Sequence, residues 1–272
     1  MRKSALSATI LAAAFLLFDD LLPPAATAQQ APAQQPPAQQ PGQPLAQPKA
    51  YKPVPVKLPQ PVNDPTFDTF RRQLAAIAEK KDRAALAQIV AQNFFWIPED
   101  KDVADKSKAA IENLAKAIGL DGRDPPGWET LAGYATETTA DPLNDPQRAG
   151  VICAPGEPTI EDAAFEALMM ATQTDPSEWG YPTKNGIEVR AGLEQSSPVI
   201  EKLGLHLVRA YPDDSPAGAA HGEVLRIVAP SGKLGFIPVD ALFPLATDQL
   251  CFIKERNSWK ISGVLGGGTP GQ

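Results

Sequence analysis

Residues 181–192 read Tyr-Pro-Thr-Lys-Asn-Gly-Ile-Glu-Val-Arg-Ala-Gly, and the hydrophobic rhythm of the chain changes within them. Upstream, apolar residues recur at helical spacing. Downstream, Ile187, Val189 and Ala191 alternate with polar neighbours, as do Leu205 and Leu207, and then Leu225, Ile227 and Ala229. A period of two places successive apolar side chains on one face of a strand. Turn residues such as Pro230-Ser231-Gly232 separate these runs, so residues 184–268 read as short antiparallel strands in a small sheet or barrel. Two further strands, Leu250 to Lys254 and Trp259 to Val264, flank Glu255-Arg256-Asn257-Ser258 and predict an added C-terminal hairpin. Residues 269–272 are a short tail.

Residues 62–183 predict a mainly helical domain, so the fold class is α+β. Phe67, Phe70, Leu74 and Ile77 lie on one helical face, and Leu86, Ile89 and Val90 follow the break at Lys80-Lys81-Asp82. Asp64 and Asp82 suit the N-cap positions of these two helices, and Pro65 suits an opening turn. Phe94-Phe95-Trp96-Ile97 is too bulky to be left in water and reads as a short extended core segment. Ile111, Leu114 and Ile118 predict a third helix stopped by Gly119. Trp128 to Tyr134 predicts a short helix, Val151 to Cys153 a strand, and Thr159-x-x-Asp162 a capping box before a helix bearing Ile160, Ala164, Leu168 and Ala171.

The stretch from Gly186 to Leu242 resembles the bacterial SH3-like domain. The resemblance is carried by Ile187-x-Val189-Arg190-x-Gly192, by Ser197-x-Val199-Ile200-x-x-Leu203-Gly204, and by Gly232-Lys233-x-Gly235-Phe236-Ile237 with Leu242. Two departures stand beside it: Val224 lies near a position where the family commonly has Trp, and an insertion occupies Pro212 to Gly222. The resemblance implies a small antiparallel SH3-like β-barrel and a range of uses, among them binding of wall peptides or proteins. It says nothing of the helical part.

The amino terminus has the signature of a secretory signal over residues 1–28: Arg2 and Lys3, an apolar run from Ala5 to Phe18, and Ala26-Thr27-Ala28. The run is shorter than the roughly 20 residues a membrane span needs, so no span is expected in the mature chain. Residues 29–61 are dominated by Gln, Pro and Ala and read as a disordered linker. The expected location is therefore extracytoplasmic, periplasmic or extracellular. The formal charge of -7 and the lack of a basic cluster argue against nucleic acid as a partner, since phosphate neutralisation supplies most of that affinity. Cys153 and Cys251 are the only two cysteines. In an oxidising compartment they pair, which would clamp the two domains together, or remain as buried thiols; a catalytic Cys is the third reading, disfavoured because no His is placed by sequence to activate it.

No residue constellation predicts a catalytic centre, a cofactor or a metal. His206 and His221 bracket Asp213 and Asp214, but the spacing matches no established zinc pattern. Gly-x-Ser-x-Gly is absent. Trp179 and Tyr181, with Tyr211 and Phe236 on the barrel, are the candidate ligand-binding residues, because Tyr and Trp serve recognition well; packing between the domains is the competing role. The expected function is non-enzymatic binding or scaffolding of a peptide, a cell-wall fragment or an envelope protein. The alternative is a wall-polymer hydrolase with the helical domain catalytic and the barrel for targeting. That requires two of Glu129, Glu161, Asp162, Asp175 and Glu178 to converge in a cleft.

Overall fold

The computed structural model describes residues 48–122, 125–211, 223–245 and 247–267. The signal reading and most of the linker reading lie outside the described residues. No described helix is long and apolar enough to cross a membrane.

The first layer is helical. Asp64 caps α1 (Pro65–Lys80), accepting from the Thr66 backbone N–H, and Asp82 caps α2 (Arg83–Gln88) through the Ala85 N–H, as expected. Helix α3 (Ala110–Ile118) ends at Gly119, whose φ of 69° lies in the left-handed region where a Cβ is unfavourable. Helix α4 (Gly127–Thr136) packs on α1. Phe67, Phe70, Leu74 and Ile77 of α1 join Leu114 of α3 and Leu131 of α4 in one buried cluster.

That cluster is completed by a sheet. The Phe94–Ile97 run belongs to strand β1 (Val90–Ile97), and the order β1-β12-β11-β3-β2 brings in β2 (Asp141–Pro142), β3 (Val151–Ala154), β11 (Gln249–Glu255) and β12 (Ser258–Leu265). Phe252, Ile261 and Val264 face the helices beside Phe94 and Trp96. The terminal hairpin is thus present, but it is built into the sheet under the helices rather than added to the second sheet. Strand β12 pairs parallel with β1 and β11 antiparallel with β3. Core burial explains the placement: hairpin and helices each have one apolar face to cover.

Cys153 and Cys251 are opposite one another on β3 and β11, joined by a disulfide with Cα atoms 4.0 Å apart. The bridge lies within one sheet. It does not clamp two domains, contrary to expectation.

The second sheet contains β4 (Trp179–Pro182), β5 (Ile187–Arg190), β6 (Val199–Leu203), β7 (Val208–Ala210), β8 (Val224–Val228), β9 (Leu234–Pro238) and β10 (Leu242–Pro244) in the order β10-β4-β7-β8-β9-β5-β6. Each described pairing is antiparallel, and Ile187, Val189, Leu203, Val208, Ile227 and Ile237 form its inner core. No ladder joins the edge strands β10 and β6 among the described residues, so the closed barrel expected from the sequence is an open seven-stranded sheet in hydrogen-bonding terms.

Residues 48–61, placed by composition in the linker, lie extended across the molecule. Tyr51 N donates to Pro230 O, Val54 O accepts from Leu207 N, and Val56 N donates to Leu205 O. Lys57 and Thr159 exchange both backbone bonds, and Val62 N reaches Thr138 O. Val54 and Val56 are buried with Trp179 and with Leu168 of α5 (Asp162–Thr172). The Thr159 capping box does not form: Thr159 is engaged by this strap, and Glu161 takes the N-cap position without a side-chain bond.

Candidate functional site

The open face of the seven-stranded sheet carries one row of side chains crossing four adjacent strands. Tyr211 N donates to Arg226 O, Arg226 pairs with Phe236, and Phe236 pairs with Arg190. Residues directly opposite in an antiparallel ladder share a face. The row therefore runs Tyr211, Arg226, Phe236, Arg190, alternating aromatic ring and guanidinium, with every member part-exposed.

The inner neighbours of these residues explain the alternation. Val189, Ile227 and Ile237 are at most 1% exposed, so period two turns Arg190, Arg226 and Phe236 outward. The Arg226 guanidinium stands 4.8 Å from the centre of the Tyr211 ring, within cation–π range. Arg209 lies 5.9 Å from the same ring and is forked onto Glu178 Oε2 by bonds of 3.0 and 2.7 Å. Arg190 donates to Glu188 at 2.7 Å and to Ser197 O at 2.9 Å, which fixes its direction. These contacts hold the two arginines of this strip in place, Arg226 against the Tyr211 ring and Arg190 against Glu188 and Ser197 O.

The four predicted binding residues divide in two. Tyr211 and Phe236 flank Arg226 on the strip. Trp179 is 1% exposed and packs edge-on to Tyr51 at 5.2 Å, with its Nε1 bonded to Thr174 Oγ1 at 2.8 Å. It is a core residue, because the strap and α5 cover its strand. Tyr181 is 5% exposed; burial, with the Glu137 and Glu157 charges, pushes its phenol up to about 12. It shares a cleft of about 290 Å³ with Phe243, Pro59 and Thr139, separate from the strip. Arg226 and Arg190 were missed by the sequence reading, although their positions between Leu225 and Ile227 and after Val189 are the outward phase of the same alternation.

The ionisable groups considered for catalysis are dispersed or mutually engaged. Asp175 and Glu178 form a reciprocal capping box over Pro176–Glu178, and Glu178 also holds Arg209. A cleft of about 790 Å³ between the strap and α5 is lined by Asp162, but by none of Glu129, Glu161, Asp175 or Glu178. His206 accepts from Gly204 N at 3.1 Å through Nε2, and its Nδ1 faces Leu207 O at 3.2 Å, so its ring is occupied by local backbone. His221, Asp213 and Asp214 lie outside the described residues.

No protein-family model matches this chain, and no curated protein does. Among solved structures, the chain is similar to a domain described as a calcium/calmodulin-dependent protein kinase II association domain from Xanthomonas campestris, at 8% identity and a TM-score of 0.22 over 76% of this chain and 87% of that one. Likeness at that level carries no argument about fold or activity.

Proposed function

We propose that this chain is an exported, non-enzymatic binding protein of the bacterial envelope, and that its seven-stranded sheet is an SH3-like module holding a peptide that carries carboxylates, either free or as the peptide part of a cell-wall fragment. The observation that carries the reading is the row Tyr211, Arg226, Phe236, Arg190. Guanidinium groups meet carboxylates in a two-pronged geometry, and rings beside them offer flat apolar area at low conformational cost. The order of antiparallel strands supports the SH3-like assignment, and the disulfide suits an oxidising compartment.

The test is titration of the oxidised protein with soluble wall peptides and with the same peptides amidated at their carboxyl groups. Binding of the acidic peptides, weakened about tenfold or more in Arg226→Ala and Phe236→Ala with circular dichroism unchanged, is expected. Equal binding by wild type and both variants would remove the strip from consideration. Trp179→Ala is not a useful probe, since loss of that buried ring disrupts packing first.

A further inference from the structure

The five-stranded sheet has a second face, away from the helices, and a pocket of about 280 Å³ opens on it. Its floor is apolar: Ala91, Phe95, Val151 and Ile253. Phe95 lies directly over Gly263, where a Cβ would meet the ring at 2.4 Å, and the Arg148 guanidinium stands 4.6 Å from the ring centre. The ring is thus held flat between backbone and guanidinium.

Set into the floor is Ser262, 4% exposed, whose Oγ has no hydrogen-bond partner. A buried hydroxyl without a partner is costly, and native structures rarely retain one without a use. Replacing it by an apolar residue would relieve that cost, so its presence at a pocket wall points to a ligand.

Charge balance and the remaining wall groups define what that ligand is. Three of the charges in the wall are engaged with one another, Asp102 Oδ2 taking Lys106 Nζ at 3.0 Å and Arg148 Nη2 at 3.3 Å, and Arg148 also pairs with Asp145. Glu255, at the exposed rim, leaves the pocket with a negative edge that disfavours anions. Lys106 further donates to Phe94 O at 2.9 Å. The groups left to meet a ligand are the exposed Glu255 carboxylate, which accepts only, and three neutral groups able both to donate and to accept: the Ser262 hydroxyl and the side-chain amides of Asn93 and Gln147. Hydroxyl groups have the same dual capacity, and a polyol presents them in every direction. The volume, about 280 Å³, lies just below the range of roughly 300–1,000 Å³ for small-molecule sites, which limits the ligand to about monosaccharide size.

We propose that this pocket binds a small neutral sugar, with Ser262, Asn93 and Gln147 as its hydrogen-bonding groups and the Arg148 guanidinium, seated on Phe95, beside it over an apolar floor of Ala91, Val151 and Ile253. The site is independent of the strip on the seven-stranded sheet, and the Arg226→Ala variant leaves it intact.

The experiment is NMR titration of the full oxidised protein with glucose and N-acetylglucosamine at millimolar concentrations, beside acetamide, acetate and phosphate. Saturable shifts with a sugar, localised to Phe95, Arg148 and Ser262, are expected. Ser262→Ala removes only an unpartnered hydroxyl, so it keeps the fold and weakens sugar binding about five- to tenfold. Asn93→Ala, at an exposed position, does the same without touching the core. The proposal is overturned if no sugar shifts these signals, if only acetamide or the anions do, or if both variants bind sugar as wild type does.

Discussion

Asp64 shows how much one residue organises. Its Oδ1 accepts from Thr66 N at 2.8 Å and from Thr66 Oγ1 at 2.6 Å, while Oδ2 receives Lys254 Nζ of β11 at 3.0 Å. One carboxylate therefore caps α1 and ties it to the hairpin. The Thr66 hydroxyl, Lys254 and the Thr66 N–H lower its pKa from 3.8 to about 2. A carboxyl depressed on folding contributes stability above its unfolded pKa, and that contribution is lost as pH falls through the folded value. Asp64→Asn, which retains a cap but not the charge, is expected to lower stability at neutral pH and to flatten its decline between 3.8 and about 2, as read from urea midpoints over that range. Asp102 is held low as well: burial raises its pKa, but the Trp96 and Ala104 N–H groups and Lys106 together outweigh that.

Among the elements, the strap before α1 does the most to connect the molecule. It bonds to the β8–β9 turn at Pro230, to residues 205–207 before β7, to Thr159 before α5, and to Thr138 after α4. Its prolines lack an N–H, and the bonds it donates come from Tyr51, Val56, Lys57 and Val62 between them. The Tyr51 hydroxyl adds a bond of 3.0 Å to Val228 O, and burial raises its pKa. Changing Val54 and Val56 together to Ala is expected to cost about 2–4 kcal/mol, by loss of buried methyl groups in the Trp179 cluster. Hydrogen exchange checks the mechanism: the Leu207 amide, bonded to Val54 O at 2.9 Å, should lose protection before the amides of β11. Equal loss at both places would mean the strap is not a separate unit of stability.

At the scale of the molecule, the disulfide closes a loop of 98 residues that contains α5 and the whole seven-stranded sheet. Both cysteines are also held by the β3–β11 ladder, so the native sheet does not depend on the bond for its register. Chain entropy limits the contribution of such a loop to about 4.7 kcal/mol. Reduction should lower the guanidinium midpoint while leaving the far-ultraviolet circular dichroism of the native state unchanged. Collapse of that spectrum on reduction alone would show that the ladder needs its covalent link.

Local physics made much of this fold legible from residues in order. Asp64 before Pro65, Asp82 and Gly119 mark helix ends because caps act within a turn of chain, and Ile187, Val189 and Ile227 mark strands because one face must be dry. The alternation also carried the strip, once its polar phase is read as deliberately as its apolar one. Tertiary structure alone decided three things. Strand β12 seeks the distant β1 because the helical layer offers an apolar face there, and sequence spacing says nothing of which sheet a hairpin joins. Val54 and Val56 become core because Trp179 and Leu207 supply a surface for them, against a composition that reads as linker. The orphan hydroxyl of Ser262 gains meaning because strands and loops far apart in the chain enclose it. Pairing and burial between remote segments depend on which surfaces meet, and that is settled by the whole chain at once.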